Sequence, residues 1–252
     1  TMSSLRDKLG FLSDTDFANN LLRGKVDIPD DVDDVTAMLL REICRLFQTL
    51  QSDQSEITLG EDQFRYYFRK FKEKTSSSIA LVHAGHYISA THSDVVTTFL
   101  AKKIALIARG GCPPDRWGHG LQVMLEKVAG VALVNKLRAI LLMEGDFNYM
   151  NKWVFGHEAI NKLYSLGYIP GDQYSQKEST AEDARMDNRL TMDISRQLKQ
   201  PLATMAADAD KCYDRINHII MSFFLLAMIG TIGPIIAMLH PIQAMKFYQR
   251  TA

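Results

Sequence analysis

Residues 219–239 run for 21 positions without one charged side chain, and that stretch limits the chain to two kinds of structure. A charge-free run of this length either crosses a bilayer as a single helix or is buried inside a protein core. Gly230, Gly233 and Pro234 fall in its middle. Glycine weakens a helix interior and proline removes a backbone donor, so the spacing predicts two shorter helices meeting at a turn within a core. A membrane span is the alternative. The rest of the chain reads as ordinary globular sequence: 46% apolar and 23% charged, with 15 glycines and 7 prolines among 252 residues. That balance excludes disordered, collagen-like and fibrous classes, and the length fits one large domain or two modest ones.

Lys+Arg and Asp+Glu both number 29, so the formal net charge is zero, without the basic excess that commonly accompanies nucleic-acid binding. Cys44, Cys112 and Cys212 are odd in number and widely separated, which fits neither a disulfide framework nor a paired zinc spacing. A reducing, intracellular location (cytoplasm or nucleus) is expected. The first residues carry charges at Arg6, Asp7, Lys8, Asp14 and Asp16 and contain no signal-peptide core. His83, His86 and His92 lie near one another, but no carboxylate or cysteine nearby completes a zinc set. The acidic run at 29–34 lacks calcium-loop spacing and reads as a charged helix start.

Apolar positions at spacings of three and four predict an amphipathic helix over residues 30–50. A second helix over 60–74 interleaves Phe64, Tyr66, Tyr67, Phe68 and Phe71 with Arg65, Arg69, Lys70, Lys72 and Lys74. Either the aromatics pack and the cations form a solvated face, or the pattern contacts nucleic acid. After a Gly/Pro loop at 110–114, residues 121–128 and 138–144 read as neighbouring strands. A helix is expected over 180–200, broken at Pro201, followed by a buried strand over 202–209.

That strand leads into ADADKCYDRI at 207–216, the most informative decapeptide in the chain. An acid at the end of a strand suits a hard divalent cation, because magnesium takes oxygen ligands and a two-metal nucleotidyl transferase needs rigidly held carboxylates. Asp208 stands in that position. Tyr213, five residues later, would lie under the sugar of an incoming nucleotide and exclude a 2′-hydroxyl. The other readings of the same residues are a helix N-cap for Asp208 and a core aromatic for Tyr213.

The decapeptide resembles the first palm motif of reverse transcriptases of the non-LTR and group II intron type. Other blocks occur in the same family order: VMLEK at 123–127, KLRAILLME at 136–144, GDFNYMNKW at 145–153 and IPGDQYSQKESTAEDA at 169–184. Upstream, EKTSSS and LVHAGHY at 73–87 are similar to the region that precedes the fingers. The resemblance implies that Asp208 binds Mg2+, that Ala209 offers its carbonyl beside it, and that Tyr213 is the sugar gate. Lys127 and Arg138 would clamp the triphosphate of a deoxynucleotide, and Gln173 and Lys177 would lie near the template. The surface-charge reading of Lys127 and Arg138 stays open beside this one. The chain departs from the family at Ala139, Ser175, Gln176 and Glu178, and its 252 residues contain no Tyr-x-Asp-Asp sequence.

The expected architecture is therefore α+β and helix-rich, a partial right-hand polymerase made of fingers and the start of the palm. Residues 1–75 would be a helical N-terminal region, 76–200 a fingers-like region, and 201–252 the first palm strand with following helices, incomplete. The implied function is RNA-directed DNA synthesis within a retroelement: a primer 3′-oxygen attacks the α-phosphate of a deoxynucleoside triphosphate on an RNA template. Without the second pair of metal carboxylates, this polypeptide alone is expected to be inactive. The competing expectation is a non-enzymatic, membrane-associated helical protein derived from decayed retroelement sequence.

Overall fold

The computed structural model describes residues 2–50, 59–72, 78–131, 133, 136–175, 179–205 and 216–249. The described residues are helix-rich with one small sheet, and the chain divides into two compact units, Thr1–Ile160 with Asn217–Ala252, and Asn161–Ile216.

The first unit begins with α1 (Met2–Leu9), α2 (Asp16–Leu22) and α3 (Asp34–Leu50). Thr15 caps α2 by accepting from Ala18 N at 3.1 Å, and α3 turns Leu40, Ile43, Leu46, Phe47 and Leu50 inward on the three-and-four spacing. The expected start at residue 30 moves to Asp34, because Asp33 accepts from Thr36 N and so sits outside the first turn. The charge-free run resolves into α10 (His218–Ile229) and α11 (Gly233–Gln243). Asn217 caps α10 through Ile219 N and Ile220 N, and Gly230 ends it in the left-handed region at φ 75°. Helix α10 packs on α3 and α1, and the Ser13 and Ser222 hydroxyls meet at 2.7 Å in a buried pair. Among the described residues, no helix is long and apolar enough to cross a membrane.

Helices α4 (Glu61–Phe68), α5 (Ala84–Ala90) and α6 (Asp94–Gly110) build a second core with Trp117, Phe147, Tyr149 and Met150. Helix α4 is shorter than the expected 60–74; its aromatics divide, with Phe64, Tyr67 and Phe68 buried and Tyr66 exposed. Helix α11 crosses α6 so closely that a Cβ on Gly233 would lie 2.2 Å from the Arg109 carbonyl oxygen. A 3-10 turn over Asp115–Gly118 then feeds the sheet.

Strands β1 (His119–Glu126) and β2 (Leu137–Leu142) form an antiparallel hairpin, and β3 (Lys246–Gln249) adds to the other edge of β1 in parallel. The two expected strands are therefore present and paired, shifted by one or two residues. From β2 the chain enters α7 (Gly145–Trp153) and a π-helical turn over Val154–Ala159.

The second unit begins within α8 (Ile160–Ser165), after its first residue, and contains α9 (Ala181–Gln197). Thr180 and Asp183 close a reciprocal capping box at the start of α9, with Thr180 N to Asp183 Oδ2 at 2.7 Å and Asp183 N to Thr180 Oγ1 at 3.2 Å. The strand expected over 202–209 is not formed in its described part: residues 201–205 have no regular structure and are exposed. Met205 is 92% exposed, and no neighbouring strand among the described residues satisfies the backbone there. The remainder of that segment, with Asp208, Ala209 and Tyr213, lies outside the described residues, as does Lys177.

Candidate nucleic-acid interface

The register of the hairpin decides what it presents. Leu121 pairs with Leu142, Val123 with Ile140 and Leu125 with Arg138. Directly opposed residues of an antiparallel pair share a face, and alternate residues along a strand return to it. Lys127 N donates to the Lys136 carbonyl at 2.9 Å, which carries the same pairing two residues further. Lys127, Lys136 and Arg138 thus stand on one face at the tip of the hairpin, all exposed. Leu125 and Ile140, 46% and 40% exposed, share that face.

The acid of the hairpin is elsewhere. Glu126 belongs to the opposite face by alternation, and its Oε2 accepts from Gly130 N at 2.7 Å, tying the connecting loop back on itself. No ion pair joins Lys127, Lys136 or Arg138 to a carboxylate among the described residues. Directly opposed like charges are destabilising in a sheet, so the Lys127/Lys136 pair is an arrangement that a bound anion would relieve. Three cations at a tip with apolar side chains behind them can grip phosphate oxygens while a sugar or base lies against Leu125 and Ile140.

A buried ionic network fixes the base of this hairpin. Glu144, two residues past β2 and fully buried, receives Arg116 Nη1 at 2.5 Å and also the Ser78 hydroxyl. Asp146 receives Arg116 Nη1 at 3.0 Å, a second bond from Nη2, the Trp117 indole Nε1 at 2.9 Å and Phe147 N at 3.1 Å. Burial opposes the Arg116 charge, but the Asp146 hydrogen bonds and the two carboxylates outweigh it and hold the proton more firmly than usual. Tyr87, packed beside the network, has its phenol pushed up by burial first and by the charge of Asp146 second. The network joins the 3-10 turn, the end of β2 and the start of α7, and so holds the hairpin's direction.

Of the residues expected from sequence to form a site, Lys127 and Arg138 are brought together. Gln173 lies in the second unit, exposed, with its side chain accepting from Ser175 N at 3.2 Å. Asp208, Ala209, Tyr213 and Lys177 lie outside the described residues. Lys136 was missed; only the register, which pairs 127 with 136, would have found it. The Arg116–Glu144–Asp146 network was missed too, since nothing in the spacing of these three residues marks them as partners. Among the described residues no group of three or more His, Cys, Asp or Glu side chains is gathered for a metal. In comparisons with protein families, with curated proteins and with solved structures, nothing matches this chain.

Proposed function

We propose that the chain is a fingers and first-palm segment of an RNA-directed DNA polymerase of retroelement type, acting inside the cell on an RNA template, a DNA primer and deoxynucleoside triphosphates. The observation that carries this reading is the hairpin register: two cations eleven residues apart in sequence, Lys127 and Arg138, share one exposed face with Lys136 beside them. That is the arrangement the resemblance implies for a triphosphate clamp, and it stands beside the family order of the sequence blocks.

In this reading the hairpin binds and orients. Arg138 and the two lysines take the phosphate oxygens through charge-assisted hydrogen bonds, and Leu125 and Ile140 exclude water from one side of the nucleotide. Asp208 would hold magnesium, with the Ala209 carbonyl beside it, and the ion would supply charge stabilisation at the phosphates. Gln173 and Lys177 as template contacts, Ala209 beside the metal and Tyr213 as sugar gate belong to the same proposal.

Calorimetric titration of a deoxynucleoside triphosphate into the 252-residue chain with a recessed RNA–DNA primer–template tests it. Arg138→Ala and Lys127→Ala should each weaken binding about tenfold, since a hydrogen bond to a charged group contributes roughly 1.5–3 kcal/mol. Wild-type affinity in both variants would overturn the proposal.

A further inference from the structure

A second cluster, with Trp153 partly buried against the core at its centre, combines rings and cations. The segment that interleaves aromatic and basic residues divides by face: Phe64, Tyr67 and Phe68 enter the core, while Tyr66 is 59% exposed. The Trp153 ring meets Tyr66 edge-on, with centroids 6.5 Å apart. His157, half exposed, stacks on Trp153 at 4.5 Å with only 10° between the planes. Trp153 and His157 are four residues apart and so fall on one helical face, at the start of a π-helical segment over Val154–Ala159, and π segments are frequent at functional sites. Gly156 adds no bulk there: a Cβ on it would meet only Lys152 Cγ, at 3.9 Å. The result is a continuous row of three rings.

Cations edge the row. Lys70 Nζ stands 3.5 Å from the Tyr66 ring centroid, and Lys152 Nζ lies 5.8 Å from that of Tyr67. Arg69 is exposed on the same side of the helix, three residues after Tyr66. Two acids adjoin the row, Asp62 one turn before Tyr66 and Glu158 next to His157, and the three cations outnumber them. Rings in series with ammonium and guanidinium groups at their edges match the bases and phosphates of a flexible strand, whose bases stack on aromatic side chains with little regard to sequence.

From this geometry we infer that Tyr66, Trp153 and His157, with Arg69, Lys70 and Lys152, form a binding site for single-stranded nucleic acid, distinct from the triphosphate grip assigned to the hairpin. Bases stack along the row and the cations hold the backbone. A duplex of the same sequence, its bases already stacked, binds weakly.

Fluorescence anisotropy with a labelled twelve-nucleotide oligouridine and the full chain tests this, together with quenching of tryptophan emission. Trp117 is fully buried, so quenching reports Trp153. Tyr66→Ala should weaken binding at least fivefold, Tyr66→Phe should retain it, and Lys70→Glu should weaken it again. The slope of log affinity against log salt should be about −2, from three cations at roughly 0.7 each. In Trp153→Phe, ligand-induced quenching should disappear. Unchanged affinity in Tyr66→Ala, equal affinity for the duplex, or undiminished quenching in Trp153→Phe would each overturn the inference. Lys127→Ala/Arg138→Ala should leave oligouridine binding at the row in place. If that double variant abolishes it while Tyr66→Ala does not, the row is refuted and the hairpin proposal stands. If triphosphate binding survives the hairpin variants while Tyr66→Ala loses the oligonucleotide, the hairpin proposal is refuted and the row stands.

Discussion

Replacing Arg116 by Met should be among the most damaging single changes outside the apolar core. The Arg116 side chain is 28% exposed, whereas the acidic side chains it joins are at 0% for Glu144 and 5% for Asp146. Met keeps much of the stem's packing but removes the charge and three hydrogen bonds. Glu144 is left with the Ser78 hydroxyl, and Asp146 with Trp117 Nε1 and Phe147 N, so two carboxylates stay buried without a counter-charge. Breaking a buried pair from one side costs about 3–5 kcal/mol, a large part of the roughly 5–15 kcal/mol that holds a domain folded. Thermal unfolding by circular dichroism should show a midpoint about 6–20 °C lower. The triple variant Arg116→Met/Glu144→Gln/Asp146→Asn should be more stable than Arg116→Met alone, because the stranded charges are removed with the guanidinium. Since Glu144 closes β2 and opens α7, Arg116→Met should also weaken triphosphate binding at Lys127 and Arg138, which it does not touch. A loss under about 1 kcal/mol in Arg116→Met, or a triple variant less stable than the single one, would refute the reasoning.

Gly233→Ala should destabilise by about 1–3 kcal/mol or more in urea unfolding, because its Cβ would sit 2.2 Å from the Arg109 oxygen and 2.6 Å from that of Ala108, forcing α6 and α11 apart; a neutral result would mean the crossing is looser than described. Tyr149→Phe should stabilise by about 1 kcal/mol, since the Tyr149 hydroxyl is buried without a hydrogen-bond partner among the described residues; a clear loss of stability would show that a partner exists. Burial pushes the Tyr67 phenol up to about 12 and raises those of Tyr87 and Tyr149 as well. The folded chain therefore keeps protons that the unfolded chain releases near pH 10, so these phenols leave stability intact below pH 10 and erode it above. The decline should approach about 1.4 kcal/mol per pH unit for each phenol, followed by tyrosinate absorbance together with circular dichroism; stability that rises between pH 10 and 11 contradicts it.

Local signals carried much of the helical architecture. The break in the apolar run was legible because Gly230, Gly233 and Pro234 act through backbone geometry, which needs no partner: Gly230 takes a positive φ and Pro234 opens α11. The box at Thr180 and Asp183 likewise closes within four residues. Strands were legible only where two of them lie close in sequence, as β1 and β2 do. Lys246–Gln249 is four residues long and has no buried residue; it is a strand because the edge of β1 is there to receive it, and no local pattern announces that. The opposite error at residues 202–205 has the same origin, since apolar content suggested a strand where no described neighbour supplies a ladder.

Charge was the least legible property, because it depends on faces and a composition averages over them. Equal totals of acid and base argued mildly against a nucleic-acid partner, yet the structure sorts the charges before any partner sees them. Glu144 and Asp146 are consumed inside the protein by Arg116, Glu126 is turned to the other side of the hairpin, and Arg65 is taken by Thr91 O and Asp94 at 2.5 Å each. Lys127, Lys136 and Arg138 remain on one face with no acid among them. A phosphate within a Debye length of that tip meets the local triad and not the net charge, so a neutral chain presents a cationic site wherever its acids are buried or folded back.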